Sequence, residues 1–226
     1  MWVKICANTD VEDAKLAAEL GADAVGFVFA PSKRQVTLEQ VAAIVPHLPA
    51  GLEKIGVFMT RDVVEILGIV RATGLTGVQL HGGFDLDLAR RLRRELGDDV
   101  TVIQTLHWIV DGQVSNADEV AVQLRMIARE PAIDRVLLDS KTGGASGGSG
   151  VRFDWNAAQE TLASIGGIKL IVAGGLQPDN VAEAIAALDP WGVDVASGVE
   201  ADPGRKHPEK LQQFIQNAKS PARVSG

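Results

Sequence analysis

Short apolar, β-branched runs alternate with amphipathic stretches along the whole chain, and that alternation leaves few folds open. The apolar runs lie at 3–6, 24–29, 54–58, 77–81, 100–105, 135–138, 169–173 and 193–196. Helical patterns lie at 11–20, 37–47, 61–73, 84–96, 118–129, 156–165, 179–188 and 208–219. Thr37 stands three residues before Gln40, the spacing of a capping box, and Pro178-Asp179 opens another helical pattern. Eight strand–helix alternations favour a closed parallel (β/α)8, or TIM, barrel over an open sheet. Residues 1–219 are expected to form that single α/β domain, with 220–226 a frayed tail. The Gly/Ser-rich run 141–150 interrupts an alternation that continues on both sides, so it reads as a mobile loop over a site, not a linker.

At 226 residues the chain is ample for one barrel and its core. Hydrophobic residues make up 46% and charged residues 23%, and the mean hydropathy is +0.11, as in an ordinary soluble domain. A formal charge of −7 argues against a nucleic-acid or membrane surface, both of which need a basic face. With one cysteine no intramolecular disulfide forms, and the N-terminal Met-Trp-Val-Lys-Ile-Cys lacks the features of a signal peptide. The expected compartment is the cytoplasm.

Near the end of the chain two strands run straight into glycine-bearing turns. Lys169-Leu-Ile-Val-Ala-Gly-Gly175 and Gly192-Val-Asp-Val-Ala-Ser-Gly-Val-Glu200 are each followed by a helix signal. Such turns expose clustered backbone N–H groups, and a pair of them in consecutive βα units matches the phosphate site of a barrel. Gly174, Gly175, Ser197 and Gly198 are therefore candidate ligands for a small phosphorylated molecule, the hydroxyl of Ser197 included.

In a barrel the chemistry sits where strands end. Alternation puts Lys4 and Cys6 on one face of the first strand and Val3 and Ile5 on the other. Facing inward, Cys6 would sit at the rim with an ammonium one step below, which favours thiolate and suits a general base. The other reading is a small core residue, the usual place of a free cysteine. Asp139, ending Arg135-Val-Leu-Leu-Asp139, is either a cap or a carboxyl poised at the mouth, where burial favours the protonated form an acid needs. Asp194 lies mid-strand and reads as a hydrogen-bonded structural carboxylate. His81 ends Val78-Gln-Leu-His81 and either orients neighbours or lines the pocket. No second His, Asp or Glu stands at metal-ligand spacing from it, so no metal is expected. Lys33-Arg34 after the second strand is either a solvated pair or a clamp for a carboxylate or phosphate.

Taken in order, these segments resemble the phosphoribosylanthranilate isomerase family of tryptophan biosynthesis from about Val3 to Lys219. The carrying segments include Lys4-Ile-Cys6, Gly21-Ala-Asp-Ala-Val-Gly-Phe-Val-Phe29, Ser32-Lys-Arg34, Val78-Gln-Leu-His-Gly82, Leu137-Leu-Asp139 and Gly147-Gly-Ser-Gly150. Gly174-Gly-Leu-Gln-Pro-Asp-Asn180 and Val193-Asp-Val-Ala-Ser-Gly-Val-Glu200 complete the set. The resemblance implies an Amadori rearrangement with no cofactor, Cys6 as general base, Asp139 as general acid and Arg34 on the anthranilate carboxylate. It leaves the glycine turns on the phosphate and permits a monomer or a homodimer. Three departures stand out. Ala7 replaces the glycine usual after the cysteine, which matters if that position needs positive φ. Gln35 replaces a common aromatic, and His207 a frequent acidic residue. Competing readings are another phosphate-binding barrel enzyme, which lacks a well-placed lysine or metal cluster, and a dead barrel that binds without turnover.

Overall fold

The computed structural model describes residues 1–111, 114–142 and 166–220. The helix expected at 156–165, most of the glycine-rich run 141–150 and residues 221–226 lie outside the described residues. Eight parallel strands follow in order: β1 (Trp2–Ile5), β2 (Ala24–Val28), β3 (Glu53–Phe58), β4 (Gly77–Leu80), β5 (Thr101–Asp111), β6 (Arg135–Thr142), β7 (Leu170–Ala173) and β8 (Gly192–Val195). Each pairs with its chain neighbour, and β1 pairs with β8, so the sheet closes on itself. The described helices are α1 (Val11–Glu19), α2 (Leu38–Ile44), α3 (Val63–Thr73), α4 (Leu86–Leu96), α5 (Ala117–Ile127), α6 (Val181–Leu188) and α7 (Pro208–Lys219).

Local chemistry explains the helix starts. Asp10 accepts the amides of Glu12 and Asp13, Asp62 those of Val64 and Glu65, and Asp85 that of Leu88. Thr37 and Gln40 form the reciprocal capping box that their spacing suggests, each such cap being worth about 1 kcal/mol.

The strands carry two apolar faces because both are buried. Outward residues such as Val3, Ile5, Val25, Phe27, Val78 and Val102 pack under the helices in one continuous core. Inward residues Trp2, Ala24, Ile55, Ile103, Leu137, Ile171 and Ala173 form a separate, smaller cluster inside the barrel. Trp2, Lys4 and Cys6 thus share the inner face, as alternation requires.

Two strands run further than their apolar patterns. β5 continues to Asp111 and turns back through a two-residue strand, Val114–Ser115, and β6 continues to Thr142. The extensions hold because they pair with each other from His107↔Asp139 upward, and because Asn116 clamps β5. The Asn116 side chain accepts from Ile109 N at 2.8 Å and donates to His107 O at 2.8 Å. Asp139 therefore does not end its strand but stands on a ladder that rises above the rest of the barrel. The strand Gly192–Val195 also departs from expectation: a 3-10 turn, Ser197–Val199, and a hairpin of Glu200–Asp202 with Arg205–Lys206 intervene before α7.

The N-terminal mouth is plugged by an aromatic and charged layer. Glu53 accepts from Trp2 Nε1 at 2.9 Å and from Arg135 Nη1 at 2.8 Å. The Arg135 guanidinium lies 4.9 Å from the Trp2 ring and 4.6 Å from the Trp191 ring. Glu53→Ala should lower the unfolding free energy by about 2–3 kcal/mol in urea titration, because it strips both donors at once. Glu53→Gln, which keeps the indole bond, should lose less; equal losses would show that the plug adds no stability through these bonds.

Candidate active site

At the opposite mouth, β1 ends at Ile5 and delivers Cys6 to the rim, its amide donating to Val195 O at 2.8 Å. The thiol is buried. It reaches its place because Gly26 on β2 has no side chain: a Cβ there would lie 2.8 Å from Cys6 Sγ and 3.0 Å from Lys4 Cε. Lys4 lies beneath it, fully buried, with its ammonium 2.9 Å from Asp194 Oδ1.

This pairing changes the expected state of the cysteine. Burial pushes the Cys6 thiol above its ordinary value, and Lys4 and Lys206 only partly offset that, since Asp194 opposes them. Lys4 itself stays charged: burial works against its ammonium, but Asp194 and then Cys6 outweigh burial. Lys4 does favour the thiolate, as the sequence suggests, but burial of the thiol outweighs it. The same ammonium also pairs with Asp194, the carboxylate that the sequence marked as structural.

Ala7 has φ +61°, the left-handed region that favours glycine. Its neighbours hold it there. Lys206 Nζ donates to Cys6 O at 2.6 Å, and on the other side Asn8 is anchored through its side chain to Ile5 O at 2.8 Å and its amide to Gly26 O at 2.9 Å. A residue so over-determined can keep a conformation costing roughly 1–2 kcal/mol. Lys206 is one of the residues that the sequence reading missed; its stretch Asp202-Pro-Gly-Arg-Lys206 carries no periodicity and reads only as a connection.

Arg34 is not an open cation. Its Nε lies 2.9 Å from Glu200 Oε1 and its Nη2 2.6 Å from Glu200 Oε2, a two-pronged ion pair. Burial works to raise the Glu200 carboxyl, yet Arg34, Lys206 and the Gly204 amide together hold it below the usual carboxylate range. Lys33, by contrast, is exposed, so the expected cation pair divides into one clamped and one solvated member. Gln35 is exposed as well.

The two glycine turns meet. Gly174 and Gly175 both have positive φ, +87° and +67°. Gly198 lies against the carbonyl of Leu176, so closely that a Cβ would overlap that oxygen, and this contact joins the two turns. Asn180 fixes the first turn by donating to Gly175 O at 3.0 Å and accepting from Gln177 N at 2.8 Å. Ser197 opens the 3-10 turn after β8. Ser149 lies outside the described residues.

His81, the residue after β4, meets two groups contributed by β5 and β6. Its ring packs edge to face on His107, centroids 4.7 Å apart, and His107 Nδ1 lies 3.5 Å from Asp139 Oδ2. The expectation that His81 has no potential co-ligands rested on linear spacing. The barrel brings His81, His107 and Asp139 together across three strands, with their donor atoms within 4.8 Å of one another.

Two expected outcomes follow from this geometry. Thiolate absorbance of the free protein should reach half its full value only above pH 9.0, the ordinary thiol value, because burial favours the neutral form. A full thiolate signal at pH 7 would contradict the buried environment described. Ala7→Gly should raise stability by about 0.5–1 kcal/mol in denaturant titration, the relieved left-handed strain exceeding the added chain entropy of glycine. An unchanged or lower midpoint would show that Ala7 carries no such strain.

Comparison with known proteins agrees over nearly the whole chain. Residues 3–217 match the family profile described as N-(5'phosphoribosyl)anthranilate (PRA) isomerase. The N-(5'-phosphoribosyl)anthranilate isomerase of Rubrobacter xylanophilus is 40% identical over 96% of this chain and 98% of its own length. That of Bacillus cereus is 41% identical over the same share of both. The crystal structure of phosphoribosyl anthranilate isomerase from Thermotoga maritima superposes with a TM-score of 0.82 at 36% identity, covering 97% of this chain and 99% of that one. A structure of such an isomerase in complex with reduced 1-(o-carboxyphenylamino)-1-deoxyribulose 5-phosphate superposes at 0.79 with 34% identity, over the same shares. The barrel topology, the order of the motifs and these matches agree: the chain belongs to the N-(5'-phosphoribosyl)anthranilate isomerase family.

Proposed function

We propose that this chain rearranges N-(5'-phosphoribosyl)anthranilate to 1-(2-carboxyphenylamino)-1-deoxyribulose 5-phosphate, an internal oxidoreduction of tryptophan biosynthesis, by general acid–base catalysis. The observation that carries the reading is the arrangement at one barrel mouth. A thiol over a buried lysine, a carboxyl on the raised β5–β6 ladder and a joined pair of glycine turns occupy the C-terminal ends of the strands.

Asp139 acts as the acid, donating its proton to the furanose ring oxygen as the bond from C1 to that oxygen breaks and the nitrogen lone pair forms the C1=N bond of a protonated Schiff base. The iminium formed at C1 acidifies the adjacent C2 proton, and Cys6 removes it as thiolate to leave an enolamine. A proton returns to C1 as O2 loses one, giving the ketone, so atoms and electrons balance without an outside reagent. The raised pKa of the thiol means that thiolate is a minor form in the free protein. A cationic intermediate forming beside it favours the charged base at the moment it is needed. The phosphate rests on Gly174, Gly175, Ser197 and Gly198. Arg34, held at a fixed angle by Glu200, meets the anthranilate carboxylate with the donors of its guanidinium not turned to Glu200. His81 lines the pocket.

The ligand is thus a small phosphorylated molecule, with no nucleic-acid or membrane partner. The Thermotoga maritima relative is described as dimeric, and for this chain a monomer or a homodimer fits the reading. Its place is the cytoplasm, supported by its one buried, unbridged cysteine. No helix among the described residues is long and apolar enough to cross a membrane.

Freshly generated phosphoribosylanthranilate should be turned over, followed by loss of its fluorescence. Cys6→Ser and Asp139→Asn should each lower kcat by about 10²–10⁴-fold while leaving the fold and substrate-analogue binding intact. A variant within tenfold of the parent removes that residue from the mechanism. Analogue binding without turnover by the parent chain would favour the dead barrel instead.

A further inference from the structure

The His81–His107–Asp139 cluster contains an arrangement that the acid–base scheme does not use. His107 Nε2 lies 3.3 Å from the carbonyl oxygen of His81. A carbonyl only accepts, so this contact puts the imidazole proton on Nε2. In the neutral ring Nδ1 then presents a bare lone pair, buried and without a hydrogen bond, toward Asp139 Oδ2 at 3.5 Å. That lone pair and the Asp139 oxygen form one edge of a group of donors, completed by a ring nitrogen of His81.

The distances suit a metal ion. Two donors each about 2.0–2.1 Å from a tetrahedral ion stand about 3.3–3.4 Å apart, close to the 3.5 Å found. A ring nitrogen of His81 supplies a third donor within 4.8 Å of both. The outer contacts are those of a histidine ligand: Nε2–H on a backbone carbonyl, and the His107 backbone pinned by the Asn116 amide at 2.8 Å. Two imidazoles and one carboxylate select borderline transition ions over calcium or magnesium.

We propose that His81, His107 and Asp139 bind one divalent transition-metal ion of the zinc class, and that this ion and the sugar-phosphate substrate exclude each other. The second half rests on the isomerase reading, because the ion occupies the carboxyl assigned as the acid; the first half does not.

The test is titration of the chelator-treated, tag-free chain with cobalt(II) alone, read from its visible absorption, with zinc(II) competing. One equivalent should bind. His107→Ala and His107→Gln should each weaken binding by at least about 100-fold, since even outer-shell partners of a metal contribute 10–100-fold. His47→Ala and His207→Ala, both remote from the cluster, should bind as the parent does, and circular dichroism reports whether each variant is folded. Absence of a cobalt band from the parent chain, or a band retained at near-parent affinity in both folded His107 variants, overturns the site. Zinc should also slow phosphoribosylanthranilate turnover competitively in the parent but not in a His107 variant. Cobalt binding that depends on His107 in a chain without turnover would sink the isomerase reading and leave the metal site standing. Turnover with metal bound and no competition would overturn the exclusion.

Discussion

Lys4 and Asp194 are register partners on β1 and β8, the first and last strands, and their 2.9 Å ion pair lies inside the seam where the barrel closes. Taking two charges out of water is costly, and a well-packed apolar pair would serve closure as well or better. Once one member is present, however, the other becomes indispensable: an unpaired buried charge costs about 3–5 kcal/mol. The pair therefore fixes the register of the seam. It also fixes the floor of the site, because Cys6 stands directly above Lys4 and Gly26 makes room for both.

From that floor the site is built outward by the end of the chain. The Glu200–Lys206 hairpin supplies one carboxylate and one ammonium that act at a distance in sequence of about the whole barrel. Glu200 sets the angle of Arg34 after β2, and Lys206 holds the carbonyl of Cys6 after β1. The left-handed backbone at Ala7 is the local strain of this arrangement, borne because anchors on both sides leave no relaxed alternative. A hairpin that reads as a mere connection thus ties together Cys6, proposed as the base, and Arg34, proposed for the substrate carboxylate.

The fold was legible because it is periodic. Both faces of a barrel strand are buried, so apolar runs announce themselves, and caps such as Thr37–Gln40 mark helix starts without reference to anything distant. The rest depends on contacts between residues far apart in the chain. The extra length of β5 comes from pairing with β6 and from the Asn116 clamp, not from an apolar pattern. The sequence placed Lys4 beside Cys6 correctly but could not show that Asp194, 190 residues on, pairs with it, or that burial outweighs its effect on the thiol. Ala7 was the departure whose meaning turned on a backbone angle, and that angle is positive.

His107 shows the same limit from the other side. Linear spacing separates it from His81 by 26 residues and leaves Asp139 still further along, so no motif announces a cluster. In a barrel, though, residues toward the C-terminal ends of consecutive strands become lateral neighbours whatever the length of the helices between them. The lengthened β5–β6 ladder lifts His107 and Asp139 as a register pair to the height of His81. The ladder that raises the carboxyl proposed as the acid therefore also gathers two imidazoles around it. The proposed acid catalysis and the proposed metal capture would compete for the same carboxylate because one ladder presents it to both.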